Sequence, residues 1–573
     1  MKASELAGIV ALFVVTVLPH AWAVSEPLNG VDAIPSVAAA RVESLSEVPS
    51  LLVQELRGGA QFDGAYWRPT TTLVYAADFA VWGWEPFGYH LTDLILAGLA
   101  TLGVYALTRV ALGRGVWFAA AVALLFALHP SSIEVVPSVS RRQEPLLVIA
   151  FALALIGASR LPTRRGLALH LAGCAMAVTC VERGLVIPAL VASYLALCHP
   201  GGGDAWQRLR RSAMWTMPSA AIALGFYGLR WALFGSSGIV LHASSFSRIP
   251  TNLFSWLVYP QQFFDFRLPD SAAGGAALAA IAIVVAAALV LALWRSSEIW
   301  LLAFCAAWIA SYTLLVTIAG QVHAWYPYSA APALAIAIVA LGARGVAALW
   351  RRAPSLSSIA SVSVAAGLAF ASSVGSPLWV DYSEWRVIDR LSTRFLSELE
   401  RVSAETPADA SLAIVNLPSA YLESDEDWGV TRTAAGLWPR SVRTWASVKG
   451  ITRELSILGA ANFVGEIEVP QLELGEEGLG VWFRSGRSKY FNPDPGGPVV
   501  ASRRKQGGMS FAWPPRGVAA PILVFAFDGD ALVPISLESR RPRRRPTSRA
   551  PTAARGASLH SHGRVRRRDP AGA

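Results

Sequence analysis

Residues 88–111 read GYHLTDLILAGLATLGVYALTRVA, and this stretch decides the fold class. Asp93 and Arg109 are its only acidic or basic side chains apart from His90. A helix of this length rises ~36 Å at ~1.5 Å per residue, which exceeds the ~30 Å hydrocarbon core of a bilayer. The stretch therefore predicts a transmembrane helix.

Comparable apolar runs recur along the chain on both sides of this helix. The mean hydropathy is +0.43 and 15% of the residues are charged, whereas soluble domains carry about 25% charged residues. We therefore predict an α-helical polytopic membrane protein with about eleven transmembrane helices. These helices are predicted at residues 3–23, 88–111, 115–130, 145–159, 166–181, 184–198, 212–234, 272–294, 299–319, 327–350 and 355–376.

Basic residues mark every second loop between these runs. They are Lys2, Arg109, Arg114, Arg160, Arg164, Arg165, Arg208, Arg210, Arg211, Arg295, Arg344, Arg351 and Arg352. Because loops rich in Lys and Arg stay in the cytoplasm, we predict a bacterial inner (cytoplasmic) membrane protein whose N-terminus is cytoplasmic. Lys2, the apolar run and Ala21-Trp22-Ala23 also fit a cleavable signal peptide, which would leave the next loop on the same outer side.

The remaining segments divide the chain into three predicted parts. Residues 1–376 form the transmembrane domain, whose external loop 24–87 contains an apolar stretch, 70–84, predicted as an interfacial helix. After residue 377 the pattern changes to a charged helix at 380–403 followed by short strand-like runs at 412–417, 463–469, 480–483 and 522–527. This pattern predicts a small periplasmic α/β domain at 377–538. Residues 539–573, rich in Arg and Pro, are predicted to be disordered.

The net charge of +10 does not indicate a nucleic-acid partner. Eleven arginines lie between Arg540 and Arg568, and most others lie in loops beside apolar runs, where membrane topology explains them. The four cysteines lie in or beside apolar runs without metal-ligand spacing. Walker A, dinucleotide-binding and nucleophile-elbow motifs are also absent from the sequence, so membrane lipid is the partner that composition supports.

Candidate functional residues lie in the loops predicted to be external. Asp32, shortly after the first helix, could act as a base on a hydroxyl or ligate a divalent cation, although Asn-Gly-x-Asp is also ordinary turn chemistry. In the loop 129–144, Arg141 and Arg142 are basic on the outer side and could bind a lipid phosphate. Snorkelling arginines and helix capping by Glu134 are the structural alternative.

Two further groups are candidates on the same side. Glu182-Arg183 lies between two short apolar runs, where a charged pair is either functional or a surface ion pair in a hairpin. Aromatic and polar residues also cluster in these loops, where they could stack on a sugar or anchor the protein in the interface. They are Tyr66, Arg68, His90, His129 and Tyr326.

Five segments in a fixed order resemble bacterial relatives of the transmembrane and TPR-containing O-mannosyltransferases, which belong to the GT-C superfamily. They are Tyr66–Leu73 (YWRPTTTL), Phe87–Asp93 (FGYHLTD), Leu128-His129-Pro130 with Glu134-Val135-Val136 and Arg142, Val181-Glu182 with Pro188, and Tyr326-Pro327-Tyr328. The resemblance covers roughly residues 1–376 and implies a GT-C-like transmembrane domain.

This resemblance implies transfer of a sugar from a polyprenyl-phosphate donor to a hydroxyl on protein, lipid or glycan, at the extracytoplasmic face. Asp32 and Glu134 would be the catalytic acids, and Arg141 and Arg142 would bind the donor phosphate. Tyr66, Arg68, His90, His129, Glu182 and Tyr326 would line the cavity.

The sequence also departs from the family pattern. Asp32 stands alone where the family has two adjacent acids, while Ala97 and Ser132 replace histidines and Val181 replaces a lysine. The TPR repeats are absent, and the region predicted as an α/β domain occupies their place. These departures keep open a non-catalytic protein that binds a lipid-linked sugar or scaffolds the envelope. A transporter or flippase is disfavoured because neither half of the chain resembles the other.

Overall fold

The computed structural model is mostly helical. It describes residues 3–28, 33–56, 66–199, 201, 203–235, 298–318, 325–349, 363, 367, 378–415, 417–419, 442–457, 460–462, 471–475, 478–482, 490–491, 509–511, 521–536 and 538–539. The predicted helix at 272–294, the predicted helix at 355–376 apart from residues 363 and 367, the predicted strand at 463–469, residue Asp32 and the tail after Ser539 lie outside these ranges.

Fourteen α-helices are named in chain order over the described residues. They are α1 (Ala3–Val17), α2 (Ala33–Ala39), α3 (Val48–Leu51), α4 (Pro69–Trp82), α5 (Pro86–Ala106), α6 (Val116–Ala127), α7 (Ser132–Val135), α8 (Gln143–Ser159), α9 (Arg164–Cys180), α10 (Ile187–Leu197), α11 (Ala205–Phe234), α12 (Glu298–Ile318), α13 (Ala331–Leu349) and α14 (Leu378–Glu405). Short 3-10 helices cover Leu18–Ser25, Leu45–Glu47, Val139–Arg141, Glu182–Val186 and Tyr326–Ser329, and a π-helical turn covers Leu107–Ala111.

Each of the nine predicted membrane helices that falls within the described ranges is a helix in the structure. The stretch 88–111 lies in α5, which begins with a proline at its first turn and continues through the π-helical turn. Within the described ranges, four helical spans are long and apolar enough to cross a membrane: Glu5–Ser25, Pro86–Ala111, Val139–Ser159 and Glu298–Val316. The chain is therefore a multi-pass membrane protein. The predicted interfacial helix is α4, whose placement in the interface stays a prediction.

Side-chain contacts join segments that lie between the predicted membrane helices. Arg114 and Glu298, which belong to two loops of the arginine-rich set, form a bidentate ion pair with two N–O distances of 2.8 Å. Residues from the other set of loops contact one another instead, as when the Tyr75 hydroxyl donates to the carbonyl of Val139 at 2.8 Å. The orientation of the helices in the membrane stays a prediction from the arginine pattern.

Small residues allow the central helices of the bundle to approach closely. A Cβ at Gly157 would collide with the backbone of His170, and a Cβ at Gly173 would collide with the backbone of Ala150 and Ala154. Without side chains at these two positions, α8 and α9 pack backbone against backbone, which is typical of membrane helix pairs.

The C-terminal region combines α14 with short strands. The strands are β1 (Ser411–Ile414), β2 (Leu417–Ser419), β3 (Leu455–Ile457), β4 (Ala460–Asn462), β5 (Gln471–Gly475), β6 (Gly478–Trp482), β7 (Tyr490–Phe491), β8 (Met509–Phe511), β9 (Ile522–Phe527), β10 (Leu532–Pro534) and β11 (Glu538–Ser539). One four-stranded sheet has the order β10-β9-β1-β3. In it β1 is parallel to both neighbours and β10 is antiparallel to β9. The other strands form the sheets β11-β5-β6-β8 and β2-β4-β7.

This α/β region shares one hydrophobic core with the first loop of the membrane domain. Phe395 and Leu399 of α14 pack in a single buried cluster with Phe527 of β9 and with Ile34 of the first loop. The rings of Phe395 and Phe527 meet edge to face at 5.7 Å. The region is therefore anchored on the membrane domain through apolar contacts.

A buried ion triad joins three helices at one end of the bundle. The guanidinium of Arg142, which is fully buried, donates to Asp78 of α4 at 2.7 Å and lies 3.3 Å from Asp93 of α5. Thr92 donates to the second oxygen of Asp78 at 2.7 Å, and the Tyr75 ring lies 4.2 Å below the guanidinium. One residue at the start of α8 therefore holds α4 and α5 together.

Removal of the Arg142 charge should destabilise this end of the bundle. In an Arg142→Met variant, Asp78 and Asp93 remain buried without a counter-charge, which typically costs about 3–5 kcal/mol. We expect a lower temperature of aggregation in detergent, measured by size-exclusion chromatography after heating. Arg41→Met is the control, because Arg41 pairs with Glu43 on the exposed surface. Equal heat stability of the two variants would contradict a structural role for the triad.

Candidate active site

The turn between α9 and α10 presents two charged residues in different directions. Val181 is extended, with φ −163° and ψ 151°, and it ends α9 before the 3-10 turn that carries Glu182 and Arg183. Gly184 in this turn lies against the carbonyl of Ala177, where a Cβ would collide with the α9 backbone. This close approach holds the turn against the end of α9 and so fixes the positions of Glu182 and Arg183.

Glu182 accepts hydrogen bonds from an arginine on each side. Arg68, immediately before α4, donates through Nε at 2.9 Å and through Nη2 at 2.7 Å. Arg230, near the end of α11 and almost fully buried, donates to the other oxygen at 3.4 Å. The guanidinium of Arg68 also lies 4.8 Å above the ring of Tyr66. Glu182 thus ties the first loop and α11 to the α9–α10 turn.

Arg183 points to the neighbouring helices instead. It pairs with Glu144, a fully buried carboxylate in the first turn of α8, and its Nη1 donates to the hydroxyl of Tyr312 on α12 at 2.9 Å. The second oxygen of Glu144 accepts from Ser329 at 2.9 Å. The Tyr326 ring lies 4.1 Å from the Arg183 guanidinium.

A third ion pair completes the group. Arg141 donates to the carboxylate of Glu134 at 2.8 Å and to its carbonyl at 2.9 Å, and it stacks on Trp325 at 3.7 Å. Trp325 contacts Tyr326 edge to face at 5.6 Å. Tyr326 also lies against Arg183, and Glu182 is the neighbour of Arg183 in the chain, so the three ion pairs form one continuous group.

We call this group the arginine cluster. It consists of Arg68, Arg141, Arg183 and Arg230 with Glu134, Glu144 and Glu182, and Tyr66, Tyr326 and Trp325 lie against it. Among these described residues, four guanidinium groups face three carboxylates, which leaves one excess positive charge.

The charges of the cluster differ in how far they reach solvent. The side chains of Arg68, Arg141 and Arg183 are 14%, 15% and 11% exposed, whereas Arg230 is 1% exposed. Burial alone would raise the pKa of Glu182, but the positive charges of Arg68 and Arg230 lower it below its ordinary value. Glu182 is therefore ionised at neutral pH, and the side chains of Arg68, Arg141 and Arg183 retain some exposed surface.

Six of the predicted site residues belong to this cluster or contact it. They are Tyr66, Arg68, Glu134, Arg141, Glu182 and Tyr326. The structure separates Arg141 from Arg142: the first faces the cluster, and the second is enclosed by Asp78 and Asp93 in the ion triad.

The remaining predicted residues have other surroundings. His90 lies with Nε2 3.4 Å from the carbonyl of Pro27, and His129 lies with Nδ1 2.7 Å from the hydroxyl of Ser131. Asp32 falls outside the described residues. Within the described ranges, no group of three or more His, Cys, Asp or Glu side chains is arranged to hold a metal ion.

From the sequence, Arg183 was a candidate only as part of the pair Glu182-Arg183, and neither Glu144 nor Arg230 was assigned a role. A lone arginine in the apolar run 212–234 and a glutamate at the start of the apolar run 145–159 were visible signals, because ionisable residues in membrane segments are usually paired or functional. The sequence did not reveal that these residues and Arg183 converge, since 39 positions separate Arg183 from Glu144 and 48 separate Arg230 from Glu182.

The chain is locally similar to two curated O-mannosyltransferases. It is 32% identical over 94 residues to Protein O-mannosyl-transferase Tmtc1 of Drosophila melanogaster, which covers 16% of this chain and 11% of that protein. It is 28% identical over 138 residues to Protein O-mannosyl-transferase TMTC2 of Homo sapiens, and this match covers 22% of this chain and 16% of that protein. The resemblance inferred from the five segments is confirmed. The chain spans less than a fifth of the length of these relatives.

Two solved structures are similar at low identity. The Archaeoglobus fulgidus oligosaccharyltransferase in complex with Zn and sulfate has 15% identity and a TM-score of 0.41, covering 78% of this chain and 62% of that one. ArnT from Cupriavidus metallidurans bound to undecaprenyl phosphate has 13% identity and a TM-score of 0.40, and the match covers 80% of this chain and 93% of that chain. No protein-family model matches the chain.

A side chain at Gly184 should misalign the cluster. In a Gly184→Ala variant the new methyl group collides with the Ala177 carbonyl, so the turn moves and both Glu182 and Arg183 lose their partners. We expect a marked loss of heat stability in detergent. Gly225→Ala is the matched control, because a Cβ at that helical glycine meets nothing within 4 Å. If the Gly184→Ala variant matched this control, the turn would not depend on the close approach.

Proposed function

We propose that the protein is a membrane glycosyltransferase that moves a sugar from a polyprenyl-phosphate donor to a hydroxyl acceptor on the extracytoplasmic face. The observation that carries this proposal is the arginine cluster, in which three partly exposed guanidinium groups lie beside aromatic rings at the ends of membrane helices. The proposal covers the reaction class, with a hexose such as mannose as the transferred sugar and protein, lipid or glycan as the acceptor.

The guanidinium groups suit a phosphate of the donor. Arginine presents planar, fixed N–H donors that match phosphate oxygens in pairs. Arg68, Arg141 and Arg183 retain exposed surface, so we assign the donor phosphate to them. Arg142 is fully enclosed by its own carboxylates, and we assign it a structural role in place of the phosphate contact expected from the resemblance.

The position of the cluster suits a donor that cannot leave the bilayer. A phosphate on a long isoprenoid stays at the depth of the lipid headgroups. The residues of the cluster lie where α8, α10 and α13 begin and where α9 and α11 end. These helix ends belong to one side of the bundle, which the arginine pattern of the loops predicts to be the extracytoplasmic side.

The transfer step follows from these contacts. The acceptor oxygen forms a bond to the anomeric carbon, the bond from that carbon to the phosphate oxygen breaks, and the polyprenyl phosphate leaves with the bonding electron pair. Guanidinium groups fixed before the reaction stabilise the charge that develops on the departing phosphate. The acceptor proton passes to a carboxylate, for which Asp32 stays the predicted base and Glu134 the second predicted acid.

The aromatic side chains supply a surface for the sugar. Tyr66, Tyr326 and Trp325 lie against the guanidinium groups of Arg68, Arg183 and Arg141, respectively. The C–H faces of a pyranose are apolar and pack on such rings. The local similarity to two O-mannosyltransferases supports sugar transfer as the reaction class.

Neutralisation of Arg68 together with Glu182 should slow transfer strongly without unfolding the protein at the assay temperature. Arg68→Gln alone leaves Glu182 with only the longer contact to Arg230, whereas Arg68→Gln combined with Glu182→Gln removes both charges of the pair. In the double variant Arg230 loses its contact with Glu182, so we expect some loss of heat stability. Below the temperature at which this variant unfolds, kcat/KM should fall about 100-fold, the usual effect of removing one donor that stabilises a developing anion. The assay is transfer from a radiolabelled polyprenyl-phosphate mannose in proteoliposomes.

The control for this experiment is Glu43→Gln, which breaks an exposed ion pair in the same loop. Transfer by the double variant at the control rate would contradict the assignment of the cluster to the donor phosphate.

Asp32 requires its own experiment. An Asp32→Asn variant retains the size of the side chain but cannot accept the acceptor proton, so we expect loss of glycan product in cells and an unchanged yield of purified protein. The measurement is mass spectrometry of envelope glycans in a deletion strain that carries the variant or Glu43→Gln. Unchanged product would remove Asp32 from the mechanism.

A non-catalytic role in binding a lipid-linked sugar is the second candidate. One observation favours it: each guanidinium of the cluster already has a carboxylate partner, as in a structural ion-pair network. Saturable donor binding to the wild-type protein without turnover for any hydroxyl acceptor would establish this role over transfer.

A further inference from the structure

The junction between the first membrane helix and helix α14 contains a buried carboxylate. Glu26 follows the apolar span Glu5–Ser25 directly, and its side chain is 5% exposed. Its Oε1 atom accepts hydrogen bonds from Nε of Arg386 at 3.0 Å and from Nη2 of Arg390 at 2.9 Å. A buried carboxylate with two guanidinium partners is a costly arrangement to break.

The two arginines act from one face of α14. Arg386 and Arg390 are four residues apart, so they project from successive turns of the same helical face. Arg386 also stacks on the ring of Trp22 at 4.4 Å. The end of the first membrane helix is therefore held on α14 through both a charge and an aromatic ring.

Residues next to Glu26 connect this junction to the membrane domain. The carbonyl of Pro27 lies 3.4 Å from Nε2 of His90 on α5. Leu28 is buried in the core that α14 shares with the first loop. The chain entering the segment that carries Asp32 is thus held from the α14 side and from the α5 side.

Two other contacts link the C-terminal region to the elements around the arginine cluster. Helix α14 packs against α7, which carries Glu134, the partner of Arg141. Trp445 of the helical segment 442–448 meets Trp84, just after α4, edge to face at 5.7 Å. The C-terminal region therefore contacts three separate elements that border the proposed site.

We propose that the C-terminal region is a clamp that positions the first loop and α7 over the arginine cluster, and that Glu26 is the positioning residue through which α14 holds the loop. This inference rests on the proposed function for its effect on transfer, but the clamp itself is a structural property. The clamp orients the loop that carries the predicted base and leaves donor binding to the arginine cluster.

The test combines kinetics with amide hydrogen exchange in nanodiscs. Glu26→Gln keeps the shape of the side chain and removes its charge, and Glu43→Gln is the matched control in the same loop. We expect Glu26→Gln to lower kcat about tenfold with an unchanged KM for the donor. A displacement of ~1 Å near reacting groups can cost ~100-fold in rate, and the loss of one charge should shift the loop by less than that. Amides of residues 33–39 should exchange faster in Glu26→Gln than in the control.

A mutant cycle makes the assignment specific. Because Glu26 and the two arginines form one unit, an Arg386→Gln, Arg390→Gln variant should reproduce the Glu26→Gln phenotype, and the triple variant should add little to it. Arg401→Gln controls for a general weakening of α14, since the carboxylate partners of Arg401 belong to that same helix.

The outcomes separate the clamp from the proposed function. Exchange in residues 33–39 that is unchanged in Glu26→Gln would overturn the clamp, whether or not the protein transfers sugar. An equal fall of kcat in Arg401→Gln would also overturn it, by showing a global effect. Absence of transfer by the wild-type protein would refute the proposed function, and the exchange measurement would still decide whether Glu26 holds the loop.

Discussion

The burial of one arginine among two aspartates constrains this end of the membrane domain. Arg142 can remain charged in an apolar surrounding only while Asp78 and Asp93 stay beside it, so the starts of α8 and α5 and the body of α4 are held at fixed separations. Arg141 directly precedes Arg142 in the chain. Because Arg142 is held by Asp78 and Asp93, the side chain of Arg141 is oriented toward the arginine cluster. The site therefore depends on a charge that takes no part in it.

The helices could be predicted well from the sequence because a membrane helix is marked by the length of its own apolar segment. The apolar length of residues 88–111 is visible without any knowledge of neighbours, and α5 appears in the structure over nearly the same residues. The site was harder to predict, because Arg141 and Arg142 are adjacent in the chain and equal in chemistry. Their opposite directions are set by a 3-10 turn at Val139–Arg141 and by partners on α4, α5 and α7.

Paired charges in the arginine cluster explain how a polar site can be stable at the edge of a bilayer. The guanidinium groups of Arg68, Arg183 and Arg230 pair with carboxylates from other parts of the chain, so these charges join the first loop, α8, the α9–α10 turn and α11 into one unit. Such pairing fixes the N–H donors before a ligand arrives. The C-terminal region adds apolar contacts and the Glu26 junction.

The near balance of charge in the cluster affects which anions can reach it. Four guanidinium groups against three carboxylates create only a weak field beyond the ~8 Å Debye length of physiological saline, so the site has little power to recruit dissolved phosphate from bulk water. A phosphate tethered to the bilayer needs no such recruitment, because lateral diffusion along the membrane plane delivers it to the helix ends. Local neutrality would thus act as a filter that favours membrane-bound anions over soluble ones.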